Sequence, residues 1–211
     1  MSSSSVPAAR TRRSADERRA QIAGAARAIA LERGLSAITL RSVAAEVGVA
    51  PALVAHHASG MDDLVARTFS AIVGEELGEV RALAAAEPDP RAALRGVLHT
   101  LMDHARAEVT LVWVQAWALG GRSEPLAAAV RTQMDDWELF LAELLAALDD
   151  PGREGAAASA PRSLARQILG MIDGVNAHAL VRWHEGDDPA ALLVRSVEAL
   201  LRLPEGALAA P

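Results

Sequence analysis

Cysteine is absent from the 211-residue chain, which excludes a disulfide framework, a thiolate metal site and a thiol nucleophile and fits a reducing cytoplasm. Tyrosine is absent as well, and phenylalanine occurs only twice. Half of the residues are apolar, drawn mainly from alanine and leucine, so the composition favours helices over strands. Lysine is missing, which leaves arginine as the basic residue throughout and, with the abundant alanine, points to a GC-rich genome. No segment approaches the roughly 20 uninterrupted apolar residues that span a bilayer, and the Ser- and Arg-containing stretch 1–13 has no apolar signal region behind it. The expectation is a soluble cytoplasmic protein without membrane attachment. No Ser/His/Asp set, phosphate loop or paired-carboxylate motif stands out, so enzymatic activity is not expected. His99 and His104 are five residues apart, which does not align two ligands on one helix face, and neither a metal site nor a cofactor is expected.

The net charge of −6 conceals an uneven distribution. Residues 1–60 hold eight arginines against four carboxylates, a net of +4, which leaves −10 for the rest of the chain. A basic first quarter on an acidic body suits a small DNA-reading head joined to a larger part that does not touch DNA. A solvated tail accounts for Arg10, Arg12 and Arg13 equally well.

Helix signals run along the whole chain. Ser14 with Glu17 three residues later has the capping-box pattern. Ile22, Ala25, Ala26, Ile29 and Ala30 then form one apolar stripe, and Gly34 supplies a stop. Thr39 caps a short helix whose apolar face is Leu40, Val43, Ala44 and Val47 and which Gly48 ends. Pro51 fits the first turn of another. A longer helix is predicted over 61–86, with Asp62 and Asp63 at its positive end. Further helices are predicted over about 91–107, 109–119, 124–148, 162–185 and 188–202, with breaks at Gly120-Gly121, between Asp149 and Pro161, and at Gly186 to Pro189. The Pro-rich step Glu87 to Pro90 divides head from body.

The stretch TLRSVAAEVGVAPALVAHHA, residues 39–58, reads as a helix-turn-helix. Ala44 lets two helices approach, Gly48 takes the positive φ of the turn, and Val54 packs the second helix onto the first. Preceded by Glu32-Arg33-Gly34 and followed by Met61-Asp62-Asp63-Leu64, it resembles the DNA-binding domain of the TetR family from about Ala15 to Phe69. The resemblance implies a recognition helix near Pro51 to His57, with Ala50, Pro51, Ala52 and His56 nearest the groove. Arg12, Arg13, Arg18, Thr39, Arg41 and His57 would then face phosphates. The chain departs from the family where aromatic residues usually end the recognition helix, here Ala55, His57 and Ala58, and where Lys commonly opens the next helix, here Met61. Affinity is therefore expected to lean on the arginines of residues 10–19.

In the body, Val112 to Trp117, Glu124-Pro125-Leu126 and Met134 to Trp137 look like the ligand domain of the TetR branch that includes the choline-responsive repressors. Leu169 to Val175 is similar to the "IDG" helix that this branch packs in its dimer interface. Trp113 and Trp117, at i and i+4, project together as either core or pocket wall. With His99, Met102, Met134 and Trp137 they are the candidate ligand-binding residues, and Trp faces suit cationic ligands.

The resemblance implies an all-α protein: a basic tail over 1–13, a three-helix helix-turn-helix domain over 14–60, a connecting helix over 61–87, and a ligand-binding and dimerisation domain over 88–211. It implies a repressor that binds a palindromic operator in double-stranded DNA as a homodimer, paired through about 162–185 and 188–202 and released by an unidentified small molecule. A ligand-binding or scaffold protein of the same fold without productive DNA binding is the rival reading.

Overall fold

Ser14 opens α1 (Ala15–Arg33) through a reciprocal cap: its hydroxyl accepts from the Glu17 backbone N–H, and the Glu17 carboxylate accepts from the Ser14 N–H. A computed structural model describes this and the other elements over residues 14–58, 60–148, 161–183 and 188–209. The predicted stripe of α1 is buried, from Ile22 to Ala30. Gly34 then ends the helix at φ +82° and ψ 167°, a combination essentially reserved for glycine. A 3-10 turn, Leu35–Ala37, leads to Thr39, which caps α2 (Leu40–Val47) by exchanging hydrogen bonds with Ser42. Gly48 takes the left-handed conformation, φ +70°, and α3 (Pro51–His57) starts on its proline. Val43, Ala44 and Val54 are fully buried where the three helices meet.

The long helix α4 (Met61–Ala85) packs against α1 and also against three helices of the body: α5 (Pro90–Leu101), α6 (Ala107–Gly120) and α7 (Glu124–Ala146). The remaining helices are α8 (Pro161–Ala179), which packs on α6 and α7, and α9 (Pro189–Leu201), which packs on α5 and α8. Asp89 and Asp188 cap α5 and α9 ahead of a proline in the first turn. There is no strand among the described residues.

Two helices are shorter than their periodicity predicts. Helix α5 stops at Leu101, where the Asn176 side-chain amide, from α8, donates to the Leu101 carbonyl at 3.0 Å. Asp103 then accepts from the Ala105 N–H at 2.9 Å and starts a 3-10 turn, His104–Arg106. Helix α8 stops at Ala179, and Arg182 follows with φ +56°, a left-handed position that the sequence does not mark with glycine. The expected breaks at 149–160 and at Gly186-Asp187 lie outside the described residues.

Head and body touch at the end of α1. The Ser36 N–H donates to Gln115 Oε1 of α6 at 2.9 Å. A Cβ at Gly34 would overlap the side-chain amide of Gln115. Gly34→Ala combines that overlap with a disallowed φ/ψ and is expected to lower the unfolding free energy by about 1–3 kcal/mol, read as a lower urea midpoint at unchanged slope. An unchanged midpoint would mean that the junction relaxes without cost.

Candidate functional site

Two surfaces hold the candidate residues, one on the head and one inside the body. On the head, Ala50, Pro51, Ala52 and His56 are exposed along α3, and His57 is half-buried. Pre-shaped by Pro51 and held from beneath by Val54, this face is short and almost free of charge. Arg41 is exposed, and Arg18 donates to Gln21 at 3.0 Å. The Thr39 hydroxyl is engaged with Ser42, donating to its oxygen at 3.0 Å while accepting from its backbone N–H. Arg12 and Arg13 lie outside the described residues.

In the body, a cavity of about 460 Å³ opens among α4, α6, α7, α8 and the turn after α5. Its apolar wall is Leu101, Trp113, Met134, Trp137, Leu169 and Ile172. Trp113 stands edge-on to Phe69, ring centroids 5.0 Å apart, and Trp117 lies behind Trp113 at 5.6 Å. Of the six candidates, Trp113, Met134 and Trp137 reach the wall, whereas His99, Met102 and Trp117 do not. Met102 is buried at the end of α5, His99 is half-buried on that helix, and Trp117 packs against the core.

The polar wall is richer than the sequence reading anticipated. Glu76 of α4 is buried, and Arg106 donates to its Oε1 from both Nε and Nη2 at 2.9 Å. Burial pushes Glu76 above the ordinary carboxylate range, and Arg106 with the Trp113 indole N–H pulls it partly back. Glu138 of α7, also buried, binds two arginines one turn apart on α8, Arg162 at 3.0 Å and Arg166 at 2.7 Å. Helix α8 presents Arg166, Leu169, Gly170, Asp173 and Asn176 along one side, the i, i+3, i+4, i+7 spacing of a single helical face. Asp173 forms no hydrogen bond or ion pair with the described residues. Burial, with Glu76 nearby, pushes its carboxyl up to about 6.

The sequence carries a usable signal for these groups. Glu76 falls in the apolar stripe Phe69, Val73, Leu77, Val80, and Glu138 falls beside Trp137, Leu141 and Leu145. A carboxylate on a helix's buried face is expensive unless it is paired or faces a site. Asp173 belongs to the segment expected at the dimer face, yet it and the buried Ile172 point into this protomer's own body.

Residues 90–202 match the family described as BetI-type transcriptional repressor, C-terminal, and residues 22–68 match bacterial regulatory proteins, tetR family. Among solved structures, the chain is similar to a candidate transcriptional regulator from Pseudomonas aeruginosa PAO1, at 21% identity and TM-score 0.74 over 93% of this chain and 95% of that one. It is also similar to a candidate transcriptional regulator from Saccharomonospora viridis in complex with choline, at 17% identity and TM-score 0.70 over 89% and 96%. A third similarity is to the fatty acid degradation regulator FadR from Bacillus halodurans, at 19% identity and TM-score 0.63 over 87% and 94%. At these identities the structural likeness is one of fold. No curated protein sequence matches the chain. Among the described residues no helix is long and apolar enough to cross a membrane. The C-terminal match alone spans more than half of the residues, and with the helix-turn-helix match ahead of it the chain belongs to the tetR family of bacterial regulatory proteins, which are transcription regulators and not enzymes.

Proposed function

We propose that the protein is a ligand-responsive repressor that binds a palindromic operator as a homodimer and is released when a small organic cation enters the body cavity. In this reading residues 14–60 are the DNA-binding head, 61–87 connect it, and 88–211 bind ligand and partner. One arrangement carries the proposal. Trp113 lines the cavity, and Gln115, two residues along α6, holds the head at Ser36. Two residues turn a helix by about 200°, so the same helix faces ligand on one side and head on the other. A ligand that shifts α6 therefore acts directly on the turn that precedes α2.

The chemistry of the cavity favours a cation. Tryptophan faces attract positive charge, and Asp173 is a carboxylate without a partner among the described residues. The choline held by the Saccharomonospora viridis neighbour agrees with that preference. Pairing through α8 and α9 is supported by exposed Leu192 and by a groove between the two helices lined by Gln167, Gly170, Met171, Ser196 and Leu200. A twofold pair presents two heads to two half-sites.

Selection from a random-sequence duplex library at several salt concentrations tests the reading. Enrichment of a palindrome that choline releases is the expected result. Ala52→Glu places a carboxylate on the exposed face of α3 against phosphate, where like charges cost several kcal/mol, and is expected to weaken operator binding about 100-fold or more. A well-folded dimer that enriches no sequence even at low salt would overturn the repressor and favour a ligand-binding protein of the same fold without DNA function.

A further inference from the structure

Among the described residues the charged groups of the cavity wall are unevenly paired. Arg106 is paired with Glu76, Arg166 shares Glu138 with Arg162, and Arg131 pairs with Glu124 at the exposed rim. The amide of Asn176 is spent on the Leu101 carbonyl. Asp135 of α7, also on the wall, is exposed and solvated. Among the described residues Asp173 has neither a donor nor an ion-pair partner, and the group facing it from α4 is another carboxylate, Glu76. No histidine lines the cavity among the residues whose side chains are described. A partly desolvated carboxylate in that position has two ways to lose its charge: it holds a proton, or a cation arrives.

We propose that the cavity takes its organic cation in exchange for a proton, with the carboxyl group of Asp173 as the exchanging group. This rests on the cavity being the effector site and goes further, because it fixes which residue meets the charge and makes effector affinity depend on pH. The exchange is balanced: the O–H bond of Asp173 breaks, the proton leaves to solvent, and the cation remains as counter-ion. In the empty cavity the proton stays on up to about pH 6, because of burial and then the charge of Glu76. Below that pH each cation must displace a proton, so affinity rises with pH, and above it the dependence levels off. Among the described residues of the wall Glu76 is the other carboxylate that burial raises, but it is held by Arg106, so the released proton is assigned to Asp173 and the asparagine variant below separates the two.

The test is isothermal titration of the full-length protein with choline, and with its uncharged isostere 3,3-dimethylbutan-1-ol, in buffers of different ionisation enthalpy. Choline is expected to bind about tenfold more tightly at pH 7.5 than at pH 5 and to release most of one proton at pH 5.5. The isostere should release none and should not gain affinity as pH rises. Asp173→Asn is expected to abolish both the proton release and the pH dependence for choline, and Asp173→Glu, which keeps a titratable carboxyl, to retain them. Choline binding with no proton release, or with the same pH dependence in Asp173→Asn, would overturn the exchange while leaving the cavity as an effector site. If neither choline nor tetramethylammonium binds at either pH, both the exchange and the cationic-effector reading fall.

Discussion

Arg106→Ala is expected to lower the unfolding free energy by about 3–5 kcal/mol at pH 7.5, because it strips the counter-charge from a carboxylate that remains buried. Glu76 and Arg106 expose only 8% and 19% of their side chains, so little water is available to replace the guanidinium. At about 2–4 °C per kcal/mol for a chain of this size, Tm should fall on the order of 10 °C. The sign with pH follows from Glu76. Its folded pKa is already raised by burial, and losing Arg106 raises it further. The mutant's deficit should therefore be full at high pH and shrink as falling pH allows Glu76 to take up a proton. Adding Glu76→Gln should recover much of the loss at pH 7.5. Thermal denaturation of the wild type, the single mutants and the double mutant at pH 5 and 7.5 would check this. A deficit below about 1 kcal/mol, or one equal at both pH values, would mean that the pair is effectively solvated.

Asp173→Asn should act in the opposite direction, making the ligand-free protein more stable. The folded pKa of Asp173 lies at about 6 against an ordinary 3.8. The folded state therefore holds a proton that the unfolded chain has already released, and ionised Asp173 costs stability. That cost is absent below about pH 4, grows as pH rises, and is complete above about pH 6. A displacement of about two pH units corresponds to at most about 3 kcal/mol. The asparagine variant should gain up to that amount at pH 7.5 and almost nothing at pH 4, measured by urea denaturation. An equal gain at both pH values would point to better packing and not to removal of a charge. Such a gain, set against loss of the proton-coupled response to the cation, would make Asp173 a residue kept for function at the expense of stability.

How much was legible differs between head and body for a physical reason. The head is punctuated by local chemistry: Ser14 with Glu17, Thr39 with Ser42, Gly48 and Pro51 act within four residues of themselves, and each stands where the sequence sets it. The end of α5 depends on Asn176, 75 residues away, and no local signal announces it. The apolar half of the cavity was visible because tryptophan and methionine advertise themselves. The charged half was missed because a carboxylate reads as solvated until its partner is known, and the partners come from other helices: Arg106 lies 30 residues from Glu76, and Arg166 lies 28 from Glu138. The third of these carboxylates, Asp173, has no partner among the described residues.

The hydrogen bond from Ser36 to Gln115 also makes the protein its own reporter. The Ser36 amide belongs to the head, is bounded by a glycine-shaped turn, and has its acceptor in the body. Its hydrogen-exchange rate therefore reports how often this contact between the two halves is open. Followed by NMR with and without effector or operator, that one amide would register uncoupling at the junction before any change in DNA occupancy is observed.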